Sequence, residues 1–169
     1  DWTFPILDEL GYRQCYVSGP GRYNPDPKVG HFWWGAYPFS HHASSKCRLV
    51  PGELELYEIT VTRTLNPEEV RPGVWMPTDY RPELERDYDA TMAIAEAWVQ
   101  DMIRRGHPVL YLFAATHNTW DVGDKSHPRR KALETTIQVS RDLADRLGLQ
   151  LVPASMADIH READLLNAF

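Results

Sequence analysis

The chain has 169 residues, 43% hydrophobic and 25% charged, which is enough length and apolar content to bury a core as one soluble α/β-sized domain. A net charge of -6 with no basic run longer than Arg129-Arg130-Lys131 argues against binding nucleic acid through its phosphates. The longest apolar stretch, Val109 to Ala115, is too short to cross a bilayer, so no membrane partner is expected.

The sequence opens at Asp1 without a methionine and runs at once into Trp2 to Gly11, a short amphipathic helix closed by a glycine, which reads as the middle of a domain. Tyr12 to Ser18 alternates apolar and polar residues and predicts a strand. From Gly19 to Ser45 the period breaks. Four prolines, four glycines, adjacent tryptophans and three histidines make this a long aromatic loop. Leu54 to Thr62 predicts the clearest strand. A loop punctuated by Pro67, Pro72, Pro77 and Pro82 surrounds Val74-Trp75-Met76. Leu84 to Arg105 predicts a helix with Met92, Ala95, Val99, Met102 and Ile103 on its apolar face, stopped by Gly106. Val109 to Ala115 reads as a strand buried on both faces of a parallel sheet. Pro128 to Leu147 predicts a second helix, with Ser126 as its cap and Leu133, Ile137, Ser140, Ala144 and Leu147 on its buried side. A short strand, Leu149 to Pro153, precedes a last helix capped by Ser155 and Asp158. This order implies parallel β-α units, part of a β/α barrel or a doubly wound sheet without its beginning. The strands are too few to close a barrel alone, so a missing amino-terminal segment or a companion chain is the expected partner.

Cys15 and Cys47 lack C-x-x-C spacing and give neither a zinc knuckle nor a disulfide framework. Cys15, in an apolar run, reads as a buried small residue, and the compartment as cytoplasmic. His117 follows the carboxy-terminal end of the apolar run, where β/α barrels place catalytic side chains, and a histidine there can move a proton near neutral pH. The alternative is a loop-edge histidine bonded to a neighbour. His41 and His42 are adjacent on an extended segment and point opposite ways, so they are not expected to share a metal, and the chain has no H-x-x-x-H. No first-shell metal ligand is therefore expected from it. His41 reads instead as lining a cleft. Trp33, Trp34, Tyr37, Phe39 and Trp75 form an aromatic set on the two long loops, suited either to the faces of sugar rings or to a satellite core. Asp121 and Asp124 read as caps of the following helix, with orientation of His117 as the alternative.

Taken with their order, Leu10-Gly11-Tyr12-Arg13, Glu58-Ile59-Thr60-Val61, Tyr111 to His117 and Leu151-Val152-Pro153-Ala154-Ser155-Met156-Ala157-Asp158 resemble the later part of polysaccharide deacetylases of carbohydrate esterase family four. The resemblance implies a distorted β/α barrel of which residues 1–169 are the carboxy-terminal portion of a single domain. It also implies a hydrolase acting on an amide bond, a metal-dependent N-deacetylase of acetylated amino sugars. His117 would be the general acid on the departing amine, and a divalent metal, zinc in most of the family, would polarise the acetyl carbonyl with ligands outside this chain. The family's Asp-His-His metal set and its R-x-P-Y segment have no counterpart here, and Ala115 stands where the family has a leucine against the acetyl methyl. The alternatives are a non-catalytic carbohydrate-binding remnant and another β/α-barrel hydrolase, though no pair of acidic residues at strand ends supports a glycosidase. Oligomerisation is compatible with all three.

Overall fold

The computed structural model describes residues 3–29, 32–82, 86–116 and 121–167. Residues 1–169, expected from the sequence to be a portion of one domain, group into two compact units. The first is Asp1–Thr60, Leu65–Pro77 and Ala154–Phe169; the second is Val61–Thr64 and Thr78–Pro153. No helix among the described residues is long and apolar enough to cross a membrane.

In the first unit, α1 (Thr3–Glu9) ends as its sequence implies. Gly11 takes φ 82, and the amides of Gly11 and Tyr12 return to the carbonyls of Asp8 and Leu7 at 2.9 and 3.0 Å. Three two-residue strands, β1 (Gln14–Cys15), β2 (His41–His42) and β3 (Tyr57–Glu58), form a sheet with β3 central, parallel to β1 and antiparallel to β2. Phe4, Cys15, Trp33, Ala43 and Leu56 form the core.

The strand expected over Tyr12 to Ser18 shrinks to β1 for a physical reason. Beyond Cys15 the amides of Val17 and Ser18 donate to the side chain of Glu58, at 3.0 and 2.8 Å, rather than to a neighbouring strand. Likewise only Tyr57 and Glu58 of the Leu54 to Thr62 run are paired as strand, although Leu56 to Thr60 is buried throughout. The proline-punctuated loop is a hairpin instead. β4 (Glu68–Arg71) pairs antiparallel with β5 (Val74–Met76) across Pro72 and Gly73, the latter at φ 74. Proline followed by a glycine at positive φ is turn chemistry that the spacing of prolines had hidden.

The last helix, α4 (Met156–Asn167), starts as expected. Ser155 Oγ accepts from the Asp158 amide at 3.2 Å, and Asp158 Oδ2 accepts from the Ser155 amide at 2.8 Å. The Ser155 hydroxyl, then its amide and Arg161, hold the Asp158 carboxyl down at about 2, below its ordinary 3.8. Because the folded value lies below the unfolded one, this support is complete above pH 3.8 and is lost as pH falls through about 2. In an acid titration followed by circular dichroism, Asp158→Asn is expected to flatten the part of the helix loss that falls in this window. An unchanged acid limb would show that the cap does not set it.

The second unit is built on α2 (Tyr88–Arg104) and α3 (Pro128–Arg146). Asp87 caps α2 by accepting from the Ala90 amide at 2.9 Å, and Gly106 follows its end at φ 64. Met92, Ala95, Val99 and Met102 are buried as expected, whereas Ile103 is exposed. His127, not Ser126, caps α3, because Ser126 donates both its amide and its hydroxyl to Asp124. The buried face of α3 is Thr136, Val139 and Leu143; Ile137 is exposed, and Leu133, Ser140, Ala144 and Leu147 are partly covered. The inward face is thus turned by about one residue from the leucine-based reading, so that the Tyr80 hydroxyl meets the Thr136 carbonyl at 2.7 Å and Ser140 Oγ at 2.9 Å. Burial pushes this phenol up to about 12.

Val109 to Ala115 is not the doubly covered strand its composition predicts. Tyr111 is buried, Leu110 and Ala114 are exposed, and the run is joined to Thr62 by single bonds at Phe113. Leu149 to Pro153 is exposed and carries no strand. An apolar run becomes a strand only where a neighbour supplies a ladder, and neither run is part of the strands formed by the described residues. The described elements make a mixed α/β chain with a three-stranded sheet and a hairpin.

Candidate functional site

Two groupings of side chains stand out in the first unit. The first comes from the register of the small sheet. Gln14 lies opposite Tyr57 and Tyr57 opposite His42, so these three side chains form one row on the same face. Cys15, Glu58 and His41 form the row on the other face. Helix α4 covers the first row. The His160 ring stacks on Tyr57 at 4.5 Å and 10° and meets His42 edge-on at 5.3 Å, and Gln14 Nε2 is 2.9 Å from His160 Nδ1. One helical turn on, Asp164 brings Oδ1 to 2.9 Å from His42 Nε2 and Oδ2 to 3.3 Å from His160 Nε2.

His42 is held from behind. Its Nδ1 is 2.9 Å from the Leu54 carbonyl, and its own carbonyl accepts from the Gly52 amide at 2.8 Å. Only glycine fits at position 52, because a Cβ there would lie 2.4 Å from Ser44 Cα. Burial lowers the basicity of His160; Asp164 opposes this, and His42 and Arg13 reinforce it. Among the described residues, His42, His160 and Asp164 form one group whose donor atoms all lie within 4.8 Å of one another. His41 and His42 do point apart, as adjacency implies. His41 is buried, its Nδ1 2.7 Å from the Phe39 carbonyl, while His42 meets a carboxylate 122 residues further on. A search for H-x-x-x-H passes over this group, but the H-x-x-x-D spacing of His160 and Asp164 was there to be read.

The second grouping is aromatic. Tyr23, Trp34 and Trp75 line an open hollow of about 310 Å³. Trp34 and Trp75 meet edge to face at 5.6 Å and 69°. The Tyr23 backbone bonds to Trp75 in both directions at 2.9 Å, which ties the long loop to the hairpin. Trp34 is 52% exposed. Of the rings expected to meet a substrate, Trp34 and Trp75 are brought together, and Tyr23 is an addition the sequence reading missed. Trp33 is a core residue, packed on Phe4 at 6.5 Å with the Arg48 guanidinium 4.6 Å above it. Tyr37 packs edge-on against Phe39 and His41, and His41 itself is buried. These three are therefore not on the hollow.

Two other expectations concern single residues. His117, the expected general acid, lies outside the described residues. Asp121 and Asp124 accept the amides of Gly123 and Ser126 in the turns before α3 and do not cap that helix, whose cap is His127. Comparison with protein-family models, curated proteins and solved structures returns no match for this chain.

Proposed function

We propose that this chain is the carbohydrate-facing, carboxy-terminal part of an amino-sugar N-deacetylase, and that the hollow between Tyr23, Trp34 and Trp75 receives the face of an acetylated sugar ring. The observation that carries the reading is the pairing of Trp34 and Trp75. Two aromatic planes set nearly at right angles, one of them half exposed, make a corner that an apolar sugar face can enter while its hydroxyls stay in water. The deacetylase chemistry rests on the family resemblance: His117 as general acid on the leaving amine, and a zinc-type ion held by residues outside this chain. The exposed free thiol of Cys47 fits a reducing, cytoplasmic setting.

The test is titration of N-acetylglucosamine oligomers against tryptophan fluorescence. Trp34→Ala and Trp75→Ala are each expected to weaken binding by about tenfold, the loss of one stacking contact of roughly 1–1.5 kcal/mol. Trp33→Phe should leave affinity unchanged, because Trp33 is in the core. Binding that survives both Trp34→Ala and Trp75→Ala would sink the assignment. Acetate release from the same oligomers, measured on the chain together with its expected amino-terminal partner, separates a deacetylase from a non-catalytic binding module.

A further inference from the structure

We propose that His42, His160 and Asp164 bind a divalent transition-metal ion of the zinc type, at a site independent of the aromatic hollow. Two histidine nitrogens and one carboxylate are a donor set for zinc, cobalt or nickel rather than for magnesium or calcium, which take oxygen ligands. Donors around tetrahedral zinc at ~2.0–2.1 Å stand roughly 3.3 Å apart. Here His42 Nε2 and Asp164 Oδ1 are 2.9 Å apart and His160 Nε2 and Asp164 Oδ2 3.3 Å, with all three donors inside 4.8 Å. The ring planes of the two histidines lie at 71° to each other, so the rings meet edge-on and not stacked.

The hydrogen bonding around the group points to a cation. The Leu54 carbonyl can only accept, so His42 carries its hydrogen on Nδ1. In the neutral ring Nε2 is then a bare lone pair, and it faces a carboxylate oxygen at 2.9 Å. Two acceptors in contact repel unless a proton or a metal lies between them. His160 is 8% exposed, and its Nε2 makes no hydrogen bond even though Asp164 Oδ2 is 3.3 Å away. In the orientation shown, Gln14 Nε2 donates to His160 Nδ1, which leaves His160 Nε2 as a buried nitrogen next to the same carboxylate. With the metal bound, the Gln14 amide turns over, so that its oxygen accepts from His160 Nδ1 as the Leu54 carbonyl does from His42. Each ligand histidine is then oriented by an acceptor behind it. Asp164 is 53% exposed, which leaves the remaining coordination positions open to water.

The experiment is equilibrium dialysis of the chelator-stripped chain against zinc chloride, with cobalt(II) as a spectroscopic probe. The expected result is uptake of one equivalent of zinc, undiminished by excess magnesium, and visible d–d bands with cobalt. Asp164→Ala and His42→Ala are each expected to weaken zinc by about 100-fold or more, and Gln14→Ala by about tenfold, as loss of an orienting partner does. Asp164→Asn keeps the side-chain shape and should still lose most of the affinity, so a failure to fold cannot mimic the result. His107→Ala, in the second unit, should bind as the parent does. No stoichiometric uptake, or zinc bound equally by the Asp164→Asn and His42→Ala variants, would overturn the proposal and leave a His42–Asp164 ion pair in its place. Neither outcome bears on sugar binding at Trp34 and Trp75.

Discussion

Replacing Glu58 with alanine is expected to destabilise the first unit by about 3–5 kcal/mol, because buried donors lose their acceptors together. Glu58 has no exposed surface. One oxygen accepts from the Val17 amide at 3.0 Å, the Ser18 amide at 2.8 Å and the Ser18 hydroxyl at 2.6 Å; the other takes the Cys15 thiol at 2.7 Å. The side chain therefore does for residues 17 and 18 what a further strand would do, and β1 stops where it takes over. Burial first, and then the carboxylate, push the Cys15 thiol well above its usual range, so Cys15 stays a thiol donor. Glu58→Gln keeps the shape and one accepting oxygen but sets an NH2 group against one set of donors. It is expected to cost about 1–2 kcal/mol, less than alanine. Urea unfolding of the two variants checks the order. Equal losses would mean that packing volume, not acceptance, is what Glu58 supplies.

Asp79→Ala is expected to cost the second unit about 3–5 kcal/mol, while the double variant Arg63→Met, Asp79→Leu should recover most of that loss. The side chains of Arg63 and Asp79 are 1% and 7% exposed, with Nε 3.5 Å from Oδ1. Arg63 Nε also donates to the Val61 carbonyl at 3.0 Å, and the Asp79 carbonyl accepts from Arg86 at 2.7 Å. Removing the carboxylate takes its counter-charge, 3.5 Å from Nε, away from a buried guanidinium. Removing both charges and keeping the volume leaves neither member of this pair facing a lost partner, and spares the desolvation that the pair itself costs. The denaturation midpoints of the two single variants and the double variant form a thermodynamic cycle. A double variant as unstable as Asp79→Ala would show that the site needs the charges for more than each other.

The helices and most of their ends were legible in the residues alone, because the signals that make them are local, whereas the starts of α2 at Tyr88 and of α3 after His127 were not. The stop at Gly11, the stop at Gly106 and the Ser155–Asp158 box each involve residues a few positions apart. The inward face of α3 was not. Leu133 and Ile137 are as apolar as Val139 and Leu143, and the face that turns in is decided by what α3 packs against, α2 and the Tyr80 hydroxyl. The strands failed in the same way. Tyr12 to Ser18 and Val109 to Ala115 have strand composition, but a ladder needs a neighbour, and in the first case a glutamate from β3 stands where that neighbour would be.

The candidate sites divide along the same line. The sequence by itself marked Trp34 and Trp75 as rings on loops and marked His41 and His42 as pointing apart. Tertiary structure alone decided that Trp33 belongs to the core while Trp34 does not, and that Tyr23 completes the hollow. It also set Gln14, Tyr57 and His42 in one row and laid His160 and Asp164 across it. The reason is range. Adjacency fixes which way a side chain points from its own strand, whereas the partner it meets depends on register across three strands and on how a helix from the far end of the chain docks on them, which no local pattern encodes.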